Sequence, residues 1–198
     1  MSSVAPGPVI VDESPRRRLT ARQANTVEGL TAAAVEEVRV AGYDGLTVRN
    51  VARRAGVAPA TAYTYFTSKD HLVAEVFWRR LRALEPPKVD RRLRRAARVS
   101  AALRDVALLV ADEPELAAAC TTAMLAQDPD VKHLRDRVGA TIRQRLSDAL
   151  GDDADPALLR TLELAVAGAM VQAGAGHVSY YDLPDLLSEA VTVIVGDR

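Results

Sequence analysis

Cysteine, aromatic residues and long apolar runs are all scarce in this chain. Cys120 is the single cysteine, which excludes an internal disulfide framework and fits a reducing compartment. Aromatic side chains occupy 4% of the 198 positions, whereas Ala, Leu and Val are abundant, and this mixture favours helices over sheets. No apolar run approaches the roughly 20 residues that cross a bilayer, and no basic segment followed by an apolar one opens the chain. The composition therefore predicts a cytoplasmic, all-α protein without a membrane partner.

The chain also lacks net charge, because its 26 Lys and Arg residues equal its 26 Asp and Glu residues. The two signs are distributed unevenly. Basic residues are in excess up to Lys69, and acidic residues are in excess beyond it. An anionic partner is therefore expected for the N-terminal part alone.

Residue types that carry catalysis or bind metals do not cluster in the sequence. His71, His133 and His177 lie far apart, so no two of them have the spacing of metal ligands on one helix. The GAGAGH segment from Gly174 lacks the preceding strand and the following Lys-Ser/Thr of a phosphate-binding loop, and we interpret it as a helix end. No nucleophile–base pair or carboxylate dyad is recognisable. We therefore expect no enzymatic activity, no cofactor and no metal.

The most informative stretch runs from Leu46 to Leu72, LTVRNVARRAGVAPATAYTYFTSKDHL. Thr47 can cap a first short helix, and Gly56 follows where the chain must reverse, because glycine reaches positive φ without steric cost. Pro59 then opens a second helix, where its missing N–H loses no hydrogen bond. Ser68 has the position of a cap for a third helix. Two short helices joined by a glycine turn predict a helix-turn-helix.

The second of these helices has a small, hydroxyl-bearing outer face. Ala62 and Phe66 are four residues apart and are predicted to face inward, which leaves Thr61 and Tyr63 outside. A short helix with no bulky acid at its start fits a major groove, with its first residues nearest the base edges. Lys69, in the first turn of the next helix, suits a backbone phosphate.

The Leu46–Leu72 stretch resembles the DNA-binding signature of the TetR family of transcriptional repressors. The resemblance implies a dimer that binds a palindromic DNA operator and is released by a small-molecule effector. It assigns phosphate contacts to Thr47 and Arg49, groove contacts to Pro59, Ala60, Thr61 and Tyr63, and flanking backbone contacts to Tyr65 and Lys69. Thr64 also belongs to the predicted DNA-binding set. The sequence departs from the family at Ala58, where a serine cap is common and whose loss costs about 1 kcal/mol, and at His71, where an acid is common.

The chain divides into four predicted segments. Residues 1–18 form a tail without periodicity, residues 19–68 the helix-turn-helix domain, residues 69–87 a connecting helix that Pro86 and Pro87 stop, and residues 88–198 a ligand-binding and dimerisation domain. Arg16, Arg17 and Arg18 are either an arm that contacts DNA or a solvated charge cluster, and the sequence leaves both open. The first helix should begin near Thr20 and end at Gly42.

Five further helices are predicted beyond the prolines, for a total of about nine. The first runs from about Val89 to Val110, and the next four begin near Asp112, Asp128, Asp155 and Asp182, each with a proline close behind. The helix from Pro156 to about His177 is apolar over most of its circumference, which requires burial on more than one side.

We expect the last two helices to form a four-helix dimer interface, since one short recognition helix contacts few bases and two half-sites about 34 Å apart give useful specificity. The residues assigned to the interface are Leu158, Leu162, Ala165, Ala169, Leu187, Val191 and Ile194. The alternative is a purely internal core.

A pocket for an apolar or amphipathic effector is expected among the helices between Val89 and Met170. Its candidate lining residues are Leu103, Leu109, Met124, Ile142, Val166 and Met170, each of which could equally be ordinary core. Cys120 is read as a buried structural thiol, with a redox sensor as the alternative.

The function that competes with a repressor is an all-helical enzyme or small-molecule-binding protein in which the helix-turn-helix is incidental. Saturable, salt-sensitive binding to the protein's own upstream DNA separates the two.

Overall fold

Every regular element of residues 21–196, the part of the chain that the computed structural model describes, is helical. The prediction of an all-α fold with about nine helices is confirmed. The helices are α1 (Ala21–Gly45), α2 (Val48–Arg54), α3 (Pro59–Tyr63), α4 (Lys69–Ala83), α5 (Arg95–Ala107), α6 (Pro114–Leu125), α7 (Pro129–Leu150), α8 (Pro156–Gly174) and α9 (Leu183–Val195), with a short 3₁₀ turn at Gly151–Asp153. The predicted tail, its three arginines and the cap at Thr20 lie outside the described residues.

The N-terminal helices enclose a small core beneath α1. Val27, Leu30, Ala34 and Val38 recur at helical spacing on one side of α1, and all four are buried. Gly42 has φ 66° and ψ 177°, so regular α1 geometry stops there as predicted, and one further turn continues to Gly45. α1 packs against α2 and α4, and α2 packs against α3.

α4 connects the N-terminal helices with the rest of the molecule. It buries seven side chains, including Leu72, Phe77 and Trp78, and packs against α1 on one side and α6 and α7 on the other. It ends at Ala83, as Pro86 and Pro87 predict, since proline cannot continue a helix.

The helix after the prolines is shorter than predicted. α5 begins at Arg95 and not near Val89, and it ends at Ala107, before Val110. The backbone N–H of Arg92 donates to Asp90 Oδ1 (2.9 Å), and that of Leu93 donates to the Asp90 carbonyl (3.1 Å). Aspartate stabilises turns in this way and competes with helix formation. The apolar spacing of Val89 and Leu93 was therefore misleading.

The aspartate side chain caps the helix at two of the four predicted Asp-Pro helix starts. Asp128 accepts from the N–H of Asp130, and Asp155 accepts from those of Ala157 and Leu158. Asp182 already has helical φ and ψ and makes no side-chain cap, while α6 begins after Glu113, also without one. α8 ends at Gly174, three residues before the predicted end at His177.

The C-terminal helices form a bundle. α9 packs against α5 and α8, and α7 packs against α4, α5 and α8. Within residues 21–196 no helix combines the length and the apolarity that a membrane crossing needs.

Candidate nucleic-acid interface and interior cavity

α2 and α3 meet at an angle set by one glycine. Thr47 Oγ1 accepts from the backbone N–H of Asn50 at 3.1 Å, so the predicted cap of α2 is present. Gly56 has φ 66°, a conformation that other residues rarely adopt, and it turns the chain between the two helices. Val51 and Ala52 are fully buried and anchor α2 against α1.

α3 presents a polar face to solvent. Ala62 and Phe66 are buried as predicted, while Thr61 is exposed and Tyr63 is 50% exposed. Ala58 precedes the helix without a side-chain cap, and Pro59 occupies its first turn. Tyr63 is therefore an exposed aromatic side chain on a helix of five residues.

The predicted interface residues differ in exposure. Seven of the nine are exposed: Thr47, Arg49, Pro59, Ala60, Thr61, Tyr63 and Thr64. Tyr65 is half-buried and packs on the core. Lys69 is also half-buried, because its Nζ donates to the Tyr43 carbonyl (3.0 Å) and lies 4.2 Å from the centroid of the Tyr43 ring. Its assignment to a phosphate stays a prediction.

The arginines of α2 have different environments. Arg54 Nε donates to Glu37 Oε2 at 2.8 Å, and the Glu37 side chain is 9% exposed, so this pair ties α2 to α1. Arg53 Nη2 lies 3.3 Å from Asn50 Oδ1. Arg49 is exposed and forms no ion pair with the described residues, which leaves its guanidinium available for a phosphate.

The start of α4 is bound to the start of α7. Ser68 Oγ accepts from the N–H of His71 (3.0 Å) and donates to Asp128 Oδ2 (2.5 Å), so each helix cap contacts the other. Thr67 Oγ1 donates to Asp130 Oδ2 at 2.8 Å. The hydrogen bond from Ser68, followed by backbone N–H groups, lowers the pKa of Asp128. This contact was not foreseen, because it joins residues 60 positions apart.

The remainder of α4 is also held by α7. The Arg137 guanidinium lies 4.4 Å from the centroid of the Trp78 ring, near the middle of both helices. Arg145 Nη2 donates to the carbonyl oxygens of Leu84 (3.1 Å) and Glu85 (2.6 Å), where α4 ends. The two helices therefore run parallel and touch at both ends.

A third link joins the N-terminal helices to α6. Glu113 accepts from Arg39 Nη2 (2.7 Å) and Arg80 Nη1 (2.6 Å). Burial of Glu113 opposes ionisation, but the hydrogen bonds from Arg80 and Arg39 outweigh it and lower the pKa of the carboxyl. α1, α4 and α6 thus share one ionised carboxylate.

A cavity of about 790 Å³ lies among α4 to α8. Four of the six predicted lining residues, Met124, Ile142, Val166 and Met170, do line it. The assignment of Leu103 and Leu109 was wrong, since neither lines the cavity: Leu103 is buried and Leu109 packs on the core. Further lining residues were missed, among them Phe77, Val106, Val110, Ala117, Cys120, Thr121 and Val138. Phe77 could have been found from its place on the inward stripe of α4.

The interior of the cavity is apolar and its charged groups mostly have partners. Arg143 pairs with Glu163 (2.6 Å), and Arg135 donates to the Met124 and Ala126 carbonyls. Thr121 Oγ1 lies 2.6 Å from the Tyr180 hydroxyl. Arg160 lines the cavity and makes no ion pair with the described residues.

Cys120 lines this cavity as a buried thiol. Burial raises its pKa to about 12. Since the thiolate is the reactive form, the protonated state favours the structural reading over a redox sensor. Within the described part of the chain, no group of His, Cys, Asp and Glu is arranged to hold a metal ion.

The expected dimer face needs a correction. Leu162, Leu187 and Val191 are buried within the single chain, where α8 and α9 pack together, so their side chains are not free to contact a partner. Leu158, Ala165, Ala169 and Ile194 are half-buried. The large apolar side chains that α8 and α9 do expose are Leu164, Val171, Leu186 and Val193, with Leu164 74% and Val193 84% exposed.

Comparisons with known proteins agree with this arrangement. The family model for bacterial regulatory proteins of the tetR family matches residues 30–76. The chain is 48% identical over 176 residues to uncharacterized HTH-type transcriptional regulators of Mycobacterium bovis and Mycobacterium tuberculosis, a match that covers 88% of this chain and 82% of each relative.

Solved structures share the fold. A TetR transcriptional regulator from Rhodococcus sp. RHA1 superposes with a TM-score of 0.71 at 23% identity, covering 89% of this chain and 98% of that one. The transcriptional regulator FadR from Bacillus subtilis, in complex with stearoyl-CoA, gives a TM-score of 0.61 at 19% identity, covering 86% and 98%.

Proposed function

This chain belongs to the TetR family of transcriptional regulators, and we propose that it is a dimeric repressor released from its operator by a small molecule. The observation that carries the proposal is the exposed face of α3, on which Thr61 and Tyr63 project from a helix anchored by Ala62 and Phe66. The protein would act in the cytoplasm, on palindromic double-stranded DNA.

Thr61 and Tyr63 are the side chains proposed to read bases. α3 enters the major groove, where a hydroxyl can hydrogen-bond to base edges and an aromatic ring can contact the thymine methyl group. Thr47 and Arg49 lie at the start of α2 and are proposed to hold phosphates, which fix the orientation of the domain without reading sequence. The cap at Thr47 fixes the start of α2 by accepting from the N–H of Asn50, and the earlier N–H groups of the helix have no intrahelical partner.

A second copy of the chain is the proposed occupant of the exposed apolar face of α8 and α9. Leu164 and Val171 lie seven residues apart and therefore on one side of α8, and Leu186 and Val193 repeat this spacing on α9. Large exposed apolar side chains grouped on adjacent helices indicate a protein contact. A two-fold axis through this face would place two α3 helices on one side of the dimer.

The effector is proposed to be an apolar or amphipathic molecule that enters the larger cavity. The volume of about 790 Å³ falls in the range of drug-sized sites, and Phe77, Met124, Ile142 and Met170 make its wall apolar. Arg160 is a lining cation with neither an ion pair nor a side-chain hydrogen bond among the described residues, and it suits one anionic group on the ligand. The stearoyl-CoA complex of the B. subtilis protein is an example of a ligand in this fold.

Coupling between the cavity and α3 is proposed to run through α7 and α4. α7 contributes Val138 and Ile142 to the cavity wall and holds both ends of α4. A ligand that displaces α7 would therefore move Ser68, which lies five residues beyond the end of α3. Moving both α3 helices of the dimer changes their separation, and the half-sites no longer match.

The experiment begins with selection of bound fragments from the organism's own DNA by the full-length protein, followed by anisotropy titrations on the selected site. We expect saturable binding that weakens steeply with salt and a protected region with two-fold symmetry. Metabolites handled by the neighbouring genes are then tested for release of the complex. Binding that is equal for selected and random fragments at every salt concentration would contradict the proposal.

A further inference from the structure

Arg145, near the end of α7, is a buried arginine without a carboxylate partner in residues 21–196. The residue is 5% exposed. Its Nη2 donates to the carbonyl oxygens of Leu84 and Glu85, but its Nη1 is buried and has no hydrogen-bond acceptor among the described residues. A guanidinium stays charged in proteins, and buried charges are normally paired with an anion. Within the described residues, the guanidinium therefore has acceptors for Nη2 but none for Nη1.

A second cavity, of about 380 Å³, is lined by Arg145 at the junction between α4 and α7. It shares only Ala140 with the larger cavity. Its remaining lining divides into two kinds of residue. The apolar ones are Leu81, Leu84, Pro86 and Pro87, and the polar ones are Arg82, Thr141, Gln144 and Asp148.

The charges around this cavity favour an anion. Arg82 is exposed and forms no ion pair with the described residues, so it adds a second cation beside Arg145. Asp148 is the one acid of the lining, and its Oδ1 accepts from Gln144 Nε2 at 2.8 Å without reaching Arg145. The lining therefore carries two cations and one anion, and one negatively charged ligand would neutralise its net charge.

We propose that this smaller cavity is a second ligand site, which binds a small carboxylate with a short apolar body through Arg145. One carboxylate oxygen would supply the acceptor that Nη1 lacks, because both hydrogens of Nη2 already go to the carbonyl oxygens of Leu84 and Glu85. The leucine and proline side chains would cover the apolar body of the ligand. Because the site includes the residues at which α4 ends, its ligand would hold α4 against α7 independently of the larger cavity.

The test uses benzoate as the probe and the full-length protein in an NMR titration at low ionic strength. We expect saturable shifts of the backbone amides of Leu84, Thr141 and Gln144, with the uncharged methyl ester causing none. Replacement Arg145→Met should weaken binding by about tenfold or more, as expected for loss of a charge-assisted hydrogen bond. The control Arg104→Met removes an exposed arginine of α5 and should leave the affinity unchanged.

Asp148→Asn keeps the proposal testable if Arg145→Met does not fold, because Arg145 also holds the end of α4. Removal of the nearby acid should tighten benzoate binding about twofold or more, since it eliminates a like-charge repulsion. Shifts that do not saturate, shifts confined to the larger cavity, or unchanged affinity in Asp148→Asn would overturn the assignment. Inorganic phosphate binding as tightly as benzoate would overturn the apolar part of the ligand class.

Discussion

At the scale of single residues, the conformation of Gly56 governs the shape of the recognition unit. A Cβ added at Gly56 or at Gly29 meets no atom within 4 Å, so crowding does not distinguish the two positions. The difference is the φ of 66° at Gly56, whereas Gly29 lies in the interior of α1. An L-residue in the left-handed region is strained by roughly 1–2 kcal/mol.

We predict opposite effects for the two glycine-to-alanine substitutions. Gly56→Ala should lower the free energy of unfolding by roughly 1–2 kcal/mol, and Gly29→Ala should raise it by about 0.5–1 kcal/mol, because alanine is the better helix former. Urea unfolding followed by circular dichroism measures both. An unchanged free energy of unfolding in Gly56→Ala would indicate that the turn between α2 and α3 has another conformation.

The burial of Cys120 predicts that folding stability decreases at alkaline pH. Its folded pKa of about 12 exceeds the value of about 8.5 in an unfolded chain. The unfolded state therefore loses its thiol proton first, so the contribution to stability is complete below about pH 8.5 and decreases as the pH rises toward 12.

We expect the free energy of unfolding of the wild type to fall more steeply between pH 8.5 and 10 than that of Cys120→Ala, by roughly 1 kcal/mol per pH unit. Burial also raises the pKa of Tyr43 and Tyr180, but both tyrosines are present in the two proteins and cancel in the comparison. Parallel pH profiles would mean that the thiol is accessible to water.

At the scale of elements, local signals in the sequence identified most helices but not their partners. Thr47, Gly56 and Pro59 act within a few residues, so their roles could be predicted from the sequence, and the structure contains the cap, the turn and the helix start. The start of α5 was misplaced because Asp90 forms a turn that apolar spacing does not reveal. The apolar circumference of α8 predicted burial without indicating which side meets the core, and this is why Leu162 was assigned to a partner.

Contacts distant in the chain could not be predicted from one sequence. Ser68 was recognised as a helix cap, but nothing nearby in the sequence identifies Asp128 as its acceptor. The role of Arg145 could not be predicted either, because it depends on the carbonyl oxygens where α4 ends. The cavity was placed in the correct group of helices, yet Leu103 was confused with lining residues because core and cavity side chains share the same periodicity.

The contact between the starts of α4 and α7 gives the prediction at this scale. Asp128→Ala removes the cap of α7 and the acceptor of Ser68, and it should cost about 2 kcal/mol of folding free energy. The control Asp130→Ala removes an exposed carboxylate two residues away and should cost less than about 1 kcal/mol. Thermal unfolding at neutral pH distinguishes the two. Equal losses would contradict a special role for Asp128.

The same contact predicts that folding stability decreases as the pH falls, whereas the Cys120 thiol makes it decrease as the pH rises. The pKa of Asp128 is lowered in the folded state, so its contribution is present above the unfolded value of about 3.9 and is lost as the pH falls below it. Asp128→Asn retains a capping side chain without the charge. Its stability should therefore decline less than that of the wild type on acidification below pH 4.

At the scale of the whole molecule, the proposed dimer requires the exposed apolar face of α8 and α9. Val193 is the best position for a test, since it is 84% exposed and does not line either cavity. Val193→Glu should raise the dimer dissociation constant by about tenfold or more, because two carboxylates would be buried near a two-fold axis. Sedimentation equilibrium measures this constant.

Val40→Glu is the matched control for the dimer. Val40 is 73% exposed on α1, a helix that packs against α2, α4 and α6, so a glutamate there should leave the association unchanged. Val193→Glu should also weaken operator binding, since one subunit alone contacts one half-site. If both variants sediment as the wild type does, the second copy does not cover this face.

The central claim is that Thr61 and Tyr63 on α3 select a DNA sequence, and its most direct test is the ratio of affinities for the selected operator and for a random duplex of equal length. The wild type should prefer the operator by about 10³-fold or more, and Tyr63→Ala should reduce this preference by about tenfold or more with little loss of stability. Arg49→Ala should weaken both duplexes equally and lower the salt slope by about one. An unchanged preference in the combined Thr61→Ala, Tyr63→Ala variant would contradict the account.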